Sequence, residues 1–119
     1  MVAIDPAHLV GTGGAIGAVL RHLLSQRVDV DAFPLGTMTV NVVGSFVLAL
    51  ATFAGGGHDL LLFVGTGACG SFTTFSTFSF ETVRLWETGE RLRASVNAVG
   101  NLVGAALALG LGWAVASLL

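Results

Sequence analysis

The sequence predicts an all-α membrane protein of four antiparallel spanning helices, on three observations. The chain is 54% hydrophobic and 10% charged over 119 residues, where soluble domains carry about 25% charge. Its mean hydropathy is +0.86, and a soluble domain this small exposes too much area to hide so much apolar surface. The apolar residues also fall into four runs, each long enough for the about 20 residues that a spanning helix needs.

The runs cover residues 8–26, 33–54, 60–86 and 94–119, and make one membrane domain over residues 1–119. The links between them are short, so consecutive helices are expected to lie antiparallel. Gly13, Gly14 and Gly17 mark the first helix, and Gly36 and Gly44 the second. The fourth carries a GxxxG pair, Gly100 and Gly104. In lipid, such small residues let backbones approach closely, within one chain or between chains. In the third run, the glycines and hydroxyls of GTGACGSFTT suit a straight helix poorly, so this helix is expected to break near its middle. The N-terminal MVAIDPAHLV lacks the basic region of a cleavable signal peptide.

Polar groups inside the runs need an interior to face, because lipid offers them no partners. Arg21, Asn41, Asn97, Asn101 and the hydroxyls of the third run are many for four helices to hide, which predicts a dimer. Arg27 lies in the first link, and Arg91 and Arg93 lie in the third with Arg84 nearby. The tail, the second link and the C-terminus have no Lys or Arg. By the bias of cationic loops toward the cytoplasm, links one and three are expected inside and both termini outside. Trp86 fits an interfacial anchor. Glu81 with Arg84, and Glu87 with Arg91, have the spacing to pair if the third helix extends.

The distinctive chemistry lies in GACGSFTTFSTFSFE, residues 67–81. Thr73, Thr74, Ser76, Thr77 and Ser79 are interleaved there with Phe72, Phe75, Phe78 and Phe80. Phe75 and Phe78 share a helix face. One account is aromatic packing with hydroxyls bonded back to carbonyls four residues earlier. The other notes that hydroxyl and amide hydrogens and the positive edge of a phenyl ring all attract a small anion. A pore lined with them replaces water around that anion without a fixed positive charge. Asn41 likewise reads either as a helix–helix hydrogen bond or as a donor lining the pore.

Other classes fit less well. His8, His22 and His58 are scattered without metal-ligand spacing, and the single Cys69 forms no internal disulfide, so the chain does not read as an enzyme. It has no phosphate loop or nucleic-acid patch. A small proton-coupled multidrug transporter needs an ionisable group within the membrane, and only Glu81, at the end of the third run, comes near one.

Four segments resemble the Fluc/CrcB fluoride channel family: GGAIGAVLRHLL (13–24), PLGTMTVNVVGSF (34–46), GTGACGSFTTFSTF (65–78) and NAVGNLVG (97–104). They occur in family order and cover nearly the whole chain, and the TTFSTF core is the specific part. The resemblance implies a passive, fluoride-selective channel of the cell membrane that lowers cytoplasmic fluoride. It implies dimers of oppositely oriented subunits with two pores along their interface. Phe75 and Phe78 resemble the pore phenylalanines and Asn41 the pore amide. Ser76 and Thr77 resemble the hydroxyls along the third helix. Arg21 resembles the arginine near the vestibule, although it is also placed to snorkel to the interface. The resemblance further implies a structural sodium ion at the helix break. Backbone carbonyls at Gly70 and Thr73 of both subunits would hold it, and it would not be transported. Ala105 departs from the small hydroxyl residue of many relatives, which leaves the fourth helix's part in the pore open, although Asn101 keeps the pattern.

An inverted homodimer needs each chain to insert both ways, yet the arginine bias is one-sided. The expected partner is therefore a second copy whose bias is overridden, or a sister chain of opposite orientation. The presence of Asn41, both phenylalanines and TTFSTF in one chain favours the homodimer.

Overall fold

The computed structural model describes residues 3–28, 30 and 32–119, so Asp29 and Asp31 of the first link lie outside it, as do Met1 and Val2. Helix α1 spans Pro6–Val28. Asp5 starts it: its carboxylate accepts from the Ala7 N–H at 2.8 Å, and its carbonyl accepts from His8 and Leu9 at 3.0 and 3.2 Å. Pro6 suits this first turn because the N–H it lacks would have no helical partner there.

Helix α2 spans Leu35–Phe53. Gly55 and Gly57 follow with φ of +74° and +95°, a region open to glycine at little cost, and turn the chain back. Helix α3 is continuous over residues 58–72: an α-helical start at His58–Leu60, a π-helical stretch Leu61–Cys69 and a last turn Gly70–Phe72. Helix α4 spans Phe75–Glu87, and α5 spans Arg91–Ala116. Gly89, at φ +88°, makes the turn between these two.

The architecture is all-helical, with no strand among the described residues. Three helical stretches are long and apolar enough to cross a membrane: Leu35–Phe53, His58–Glu87 and Arg91–Ala116. Helix α1, at 23 residues, matches them in length but is more polar, carrying Thr12, Arg21, His22, Ser25, Gln26 and Arg27.

Helix α1 lies along the π-helical part of α3, α2 lies along α5, and α4 packs on α5. Missing side chains make the first two contacts possible. A Cβ at Gly13 would collide with the Phe63 carbonyl, and one at Gly17 with the Ala68 carbonyl and the Ser71 hydroxyl. Gly67 returns the approach, with the Gly13 Cα 3.1 Å from where its Cβ would stand. Gly100 and Gly104 meet Met38 and Val42 of α2. The GxxxG pair thus serves a contact within the chain.

The distribution of polarity is inside-out. Val40, Ala49, Ala94, Ala108 and Ala116 are buried together with the polar Thr37, Asn97 and Asn101, while Leu102, Leu107, Leu111 and Trp113 face outward. Such a surface matches hydrocarbon, and the polar groups within are hydrogen-bonded as lipid requires.

At the α4–α5 turn the ion pairing differs from the spacing argument. Helix α4 stops at Glu87, and among the described residues the ion pair is Glu90 with Arg93, at 3.6 Å. Neither Glu81–Arg84 nor Glu87–Arg91 forms. Glu81 instead accepts from the Thr37 hydroxyl at 2.7 Å, and the Arg91 guanidinium stacks 4.9 Å from the centre of the Trp86 ring, a cation–π contact. Arg91 and Arg93 belong to the first turn of α5 rather than to a loop.

Gly13→Ala and Gly17→Ala are each expected to destabilise the protein by about 1–3 kcal/mol, the usual cost of overpacking. Gly110→Ala, with open space around it, should be neutral or slightly stabilising, since alanine is the better helix former. Thermal unfolding in detergent checks the contrast, and equal effects at all three positions would contradict the close α1–α3 approach.

Candidate functional site

Between α3 and α4, Thr73 and Thr74 are extended, at φ −84°, ψ 159° and φ −148°, ψ 122°. β-branched residues accept this conformation readily. Thr74 also begins α4, its hydroxyl accepting the Thr77 N–H at 3.1 Å. That is the ordinary work of a helix N-cap.

The interruption reassigns backbone hydrogen bonds. In an unbroken helix the Thr74 N–H would reach the Gly70 carbonyl four residues earlier. Instead it donates to Asn41 Oδ1 at 2.8 Å. The Thr77 N–H would likewise reach the Thr73 carbonyl, but goes to the Thr74 hydroxyl. The carbonyls of Gly70 and Thr73 are thereby released from their helical donors. Cys69 keeps its turn, accepting both the N–H and the hydroxyl of Thr73 at 3.1 and 2.9 Å.

Asn41 grips both backbone polar groups of one residue, Thr74. Besides accepting from Thr74 N–H, its Nδ2 donates to the Thr74 carbonyl at 3.1 Å and to Asn101 Oδ1 at 3.0 Å. The Thr74 N–H needs an acceptor, which sets the orientation of the amide. Both amide protons of Asn41 are then engaged within the chain. Gly44, one turn along α2, makes room: a Cβ there would collide with the Thr73 methyl.

Behind Asn41 the polar contacts continue into α5. Asn101 Nδ2 donates to the Asn97 carbonyl and to Asn97 Oδ1 at 2.8 and 2.9 Å. Asn97 Nδ2 donates to the Thr82 hydroxyl at 2.8 Å, which donates to the Phe78 carbonyl at 2.8 Å.

Two surfaces flank the interruption. On one, a cleft of about 430 Å³ is lined by Asn41, Ser45, Thr66, Cys69, Gly70 and Thr73, with Leu48, Leu61 and Gly65. On the other, Phe75 and Phe78 stand with ring centres 5.8 Å apart and planes at 49°. Phe75 is 79% exposed, and Ser76 and Thr77 are exposed beside it.

Residues 8–113 match the family described as CrcB-like protein, Camphor Resistance (CrcB). The chain is 59% identical over 115 residues to "Fluoride-specific ion channel FluC 2" of Haloarcula marismortui, covering 97% of each. It is 51% identical over 108 residues to "Fluoride-specific ion channel FluC 1" of Halobacterium salinarum, covering 91% of each. A relative from Methanocaldococcus jannaschii, "Fluoride-specific ion channel FluC", is 45% identical over 101 residues, covering 81% of this chain and 82% of that one.

The chain belongs to the CrcB family. In this CrcB protein Asn41, Gly70 and Thr73 come together at one cleft, and Phe75, Phe78, Ser76 and Thr77 gather on the first turn of α4. Arg21 lies apart on α1, half-buried, and does not line the cleft. Gly70 has helical backbone angles, φ −61° and ψ −34°. Conformational freedom is therefore not its reason for being glycine. Open space surrounds its missing Cβ.

Sequence reasoning missed three participants. Thr82 and Thr37 are single hydroxyls whose partners lie on other helices, and Gly44 passes for one more packing glycine. The only available signal was the i, i+4 spacing of Asn97 and Asn101, which puts two amides on one face of α5.

Loss of the Thr74 cap should be measurable. Thr74→Ala is expected to cost about 1 kcal/mol, while Thr74→Ser keeps the hydroxyl and most of the stability. Paired melting curves in one detergent test this, and an unchanged alanine variant would remove the cap from the account.

Proposed function

We propose that the chain is a fluoride-selective ion channel that exports fluoride passively and lowers its cytoplasmic concentration. The observation that carries this is the pairing of an exposed Phe75 with a half-buried Phe78 on the first turn after a clamped helix interruption, in a chain whose relatives are named fluoride-specific channels. A fluoride ion leaving water needs replacement for a tightly held hydration shell. The ring edges of Phe75 and Phe78 and the hydroxyls of Ser76 and Thr77 supply positive hydrogen at close range. None of them carries a full charge that would trap the ion, and conduction requires weak enough sites to leave. Arg21, nearer the end of α1, draws the anion toward the mouth by its charge. Asn41 serves the pore as the residue that holds the interruption.

In this reading α1 joins the three apolar stretches as a fourth span, and residues 58–87 form one spanning helix broken at Thr73 and Thr74. Two copies assemble in opposite orientations in the cell membrane, with a pore on each side of the shared interface. The exposed Phe75 supports this, because a second subunit would enclose it. The first and third links face the cytoplasm in the copy that follows the arginine bias. A paralogue of opposite orientation is the alternative partner.

A structural sodium ion fits the interruption. Hard cations take oxygen ligands, and the Gly70 and Thr73 carbonyls have lost their helical donors. Those carbonyls from both copies would hold the ion, which would neutralise their partial charges and tie the subunits together.

The chemistry is that of a channel and not of an enzyme. The multidrug-transporter alternative gains no support, since Glu81 is hydrogen-bonded to Thr37 at 2.7 Å and the relatives are named as channels.

Liposomes holding this chain alone are expected to release fluoride rapidly and chloride negligibly. Phe75→Ile and Phe78→Ile keep bulk but lack the ring edge, and should abolish fluoride efflux with unchanged oligomer size by gel filtration. Wild-type rates in both variants would sink the pore assignment. Terminal tags are expected on both sides of the membrane in cells that express no paralogue, and a one-sided result would favour the paired-paralogue arrangement.

A further inference from the structure

We infer that Asn97 and Asn101, two amides buried in α5, are positioning residues that hold Phe75 and Phe78 in place without touching the ion. Asn97 is 0% exposed and Asn101 5%, so neither reaches the surface that carries the rings. Through Asn41 and Thr82 they connect to the backbone at Thr74 and Phe78. The hydrogen bonds run in one direction: Asn41 donates to Asn101, Asn101 to Asn97, Asn97 to Thr82, and Thr82 to the Phe78 carbonyl. The direction is set at one end, where the Thr74 N–H occupies Asn41 Oδ1.

Both ends of this chain of bonds lie on the segment that presents the rings. Thr74 immediately precedes Phe75. Thr82 sits one turn beyond Phe78 and holds its carbonyl. The first two turns of α4 are therefore fastened at their start through α2 and at their far side through α5. The Phe75 ring has little packing of its own, so its position is inherited from the backbone. Each member of the series is both donor and acceptor, and a break at Asn101 leaves Asn41 with a free N–H and Asn97 with a free carbonyl oxygen. In a water-poor interior such unpaired groups seek new partners. For Asn41 the nearest consequence is a looser hold on Thr74.

An ordinary helix–helix hydrogen bond between Asn97 and Thr82, neither of which is hydrogen-bonded to Asn41, would act independently of Asn41. A positioning series acts through it, and this separates the two. Fluoride efflux should be compared in Asn41→Ala, Asn97→Ala, Asn101→Ala and the double variant Asn41→Ala with Asn97→Ala. Each single change is expected to slow efflux at least tenfold, and the double variant to lose no more than the worse single one. Losses that multiply would overturn the proposal.

This flux comparison rests on the fluoride-channel reading, so a second readout is independent of it. 4-Fluorophenylalanine placed at position 75 or 78 gives a fluorine resonance in the detergent-solubilised protein. Asn101→Ala, and the size-conserving Asn101→Leu, which can neither accept from Asn41 nor donate to Asn97, are expected to shift or broaden it. Ser95→Ala, an exposed change on the same helix, should leave it alone. An unmoved resonance in both Asn101 variants would overturn the proposal even if efflux fell. If the wild-type chain passes no fluoride, the channel reading fails, while the resonance still decides the role of the amides.

Discussion

The grip of Asn41 on the Thr74 peptide is the interaction on which the rest of the site depends. Backbone N–H and C=O groups cannot be left unpaired in hydrocarbon. A helix that stops in such a place must hand its stranded groups to something else. Asn41 takes an N–H and a C=O from the same residue, so one side chain from α2 replaces what a further turn of helix would have supplied. The consequences spread outward. Gly44 must lack a side chain so that Thr73 can approach α2. Asn101 must meet the second proton of Asn41, and Asn97 and Thr82 extend that pairing until it ends on a backbone carbonyl.

This explains why the interior is polar and the exterior oily. The chain has little apolar core: its buried positions are mostly alanine, glycine and amides. Apolar side chains gain nothing by moving from lipid to protein, so association rests on close backbone approach and on hydrogen bonds. The glycines of α1 and α3 serve the first, bringing carbonyl oxygens of one helix against the Cα of the other. The amides of α2 and α5 serve the second. Close approach serves both halves of the bundle, since Gly100 and Gly104 of α5 also meet α2, whereas the amides come from α2 and α5 alone. The π-helical stretch packs closely along α1, and the asparagine series connects to the segment that carries the rings.

Local chemistry was legible in the sequence to the extent that it is local. The helical runs and the shared face of Phe75 and Phe78 follow from neighbours within a few residues, whereas most of GTGACGSFTT is helical, π-helical to Cys69 and α-helical to Phe72. The extended angles of Thr73 and Thr74 fall inside the stretch that composition marked as awkward. What could not be read is pairing at a distance. Asn41 lies 33 residues from Thr74 and 60 from Asn101, and nothing in the sequence distinguishes that arrangement from a lone amide lining a pore. Glu81 was matched to Arg84 by spacing, because its true partner, Thr37, lies on another helix. Gly70 has a helical backbone, and what the interruption changes is the partner of its carbonyl.

A single interruption creates two regions of opposite character. Helix α3 ends at Phe72, with carbonyl oxygens of its last turn left over, and a helix C-terminus carries partial negative charge. Helix α4 begins at Phe75, with its first N–H groups left over, and a helix N-terminus carries partial positive charge. The two ends are separated by only two residues, Thr73 and Thr74. A cation and an anion can therefore be served by the same few residues without any charged side chain, the first by the Gly70 and Thr73 carbonyls and the second by the turn that bears Phe75, Ser76 and Thr77. Under the channel reading, the division of labour follows. The cation side must be rigid, because a structural ion is useful only where its ligands are fixed. The anion side must bind weakly enough to release, so uncharged ring edges and hydroxyls suit it better than arginine. Under that reading, serving both from the flanks of Thr73 and Thr74 would require the two extended residues to keep one conformation, and Asn41 holds Thr74 by both its N–H and its carbonyl.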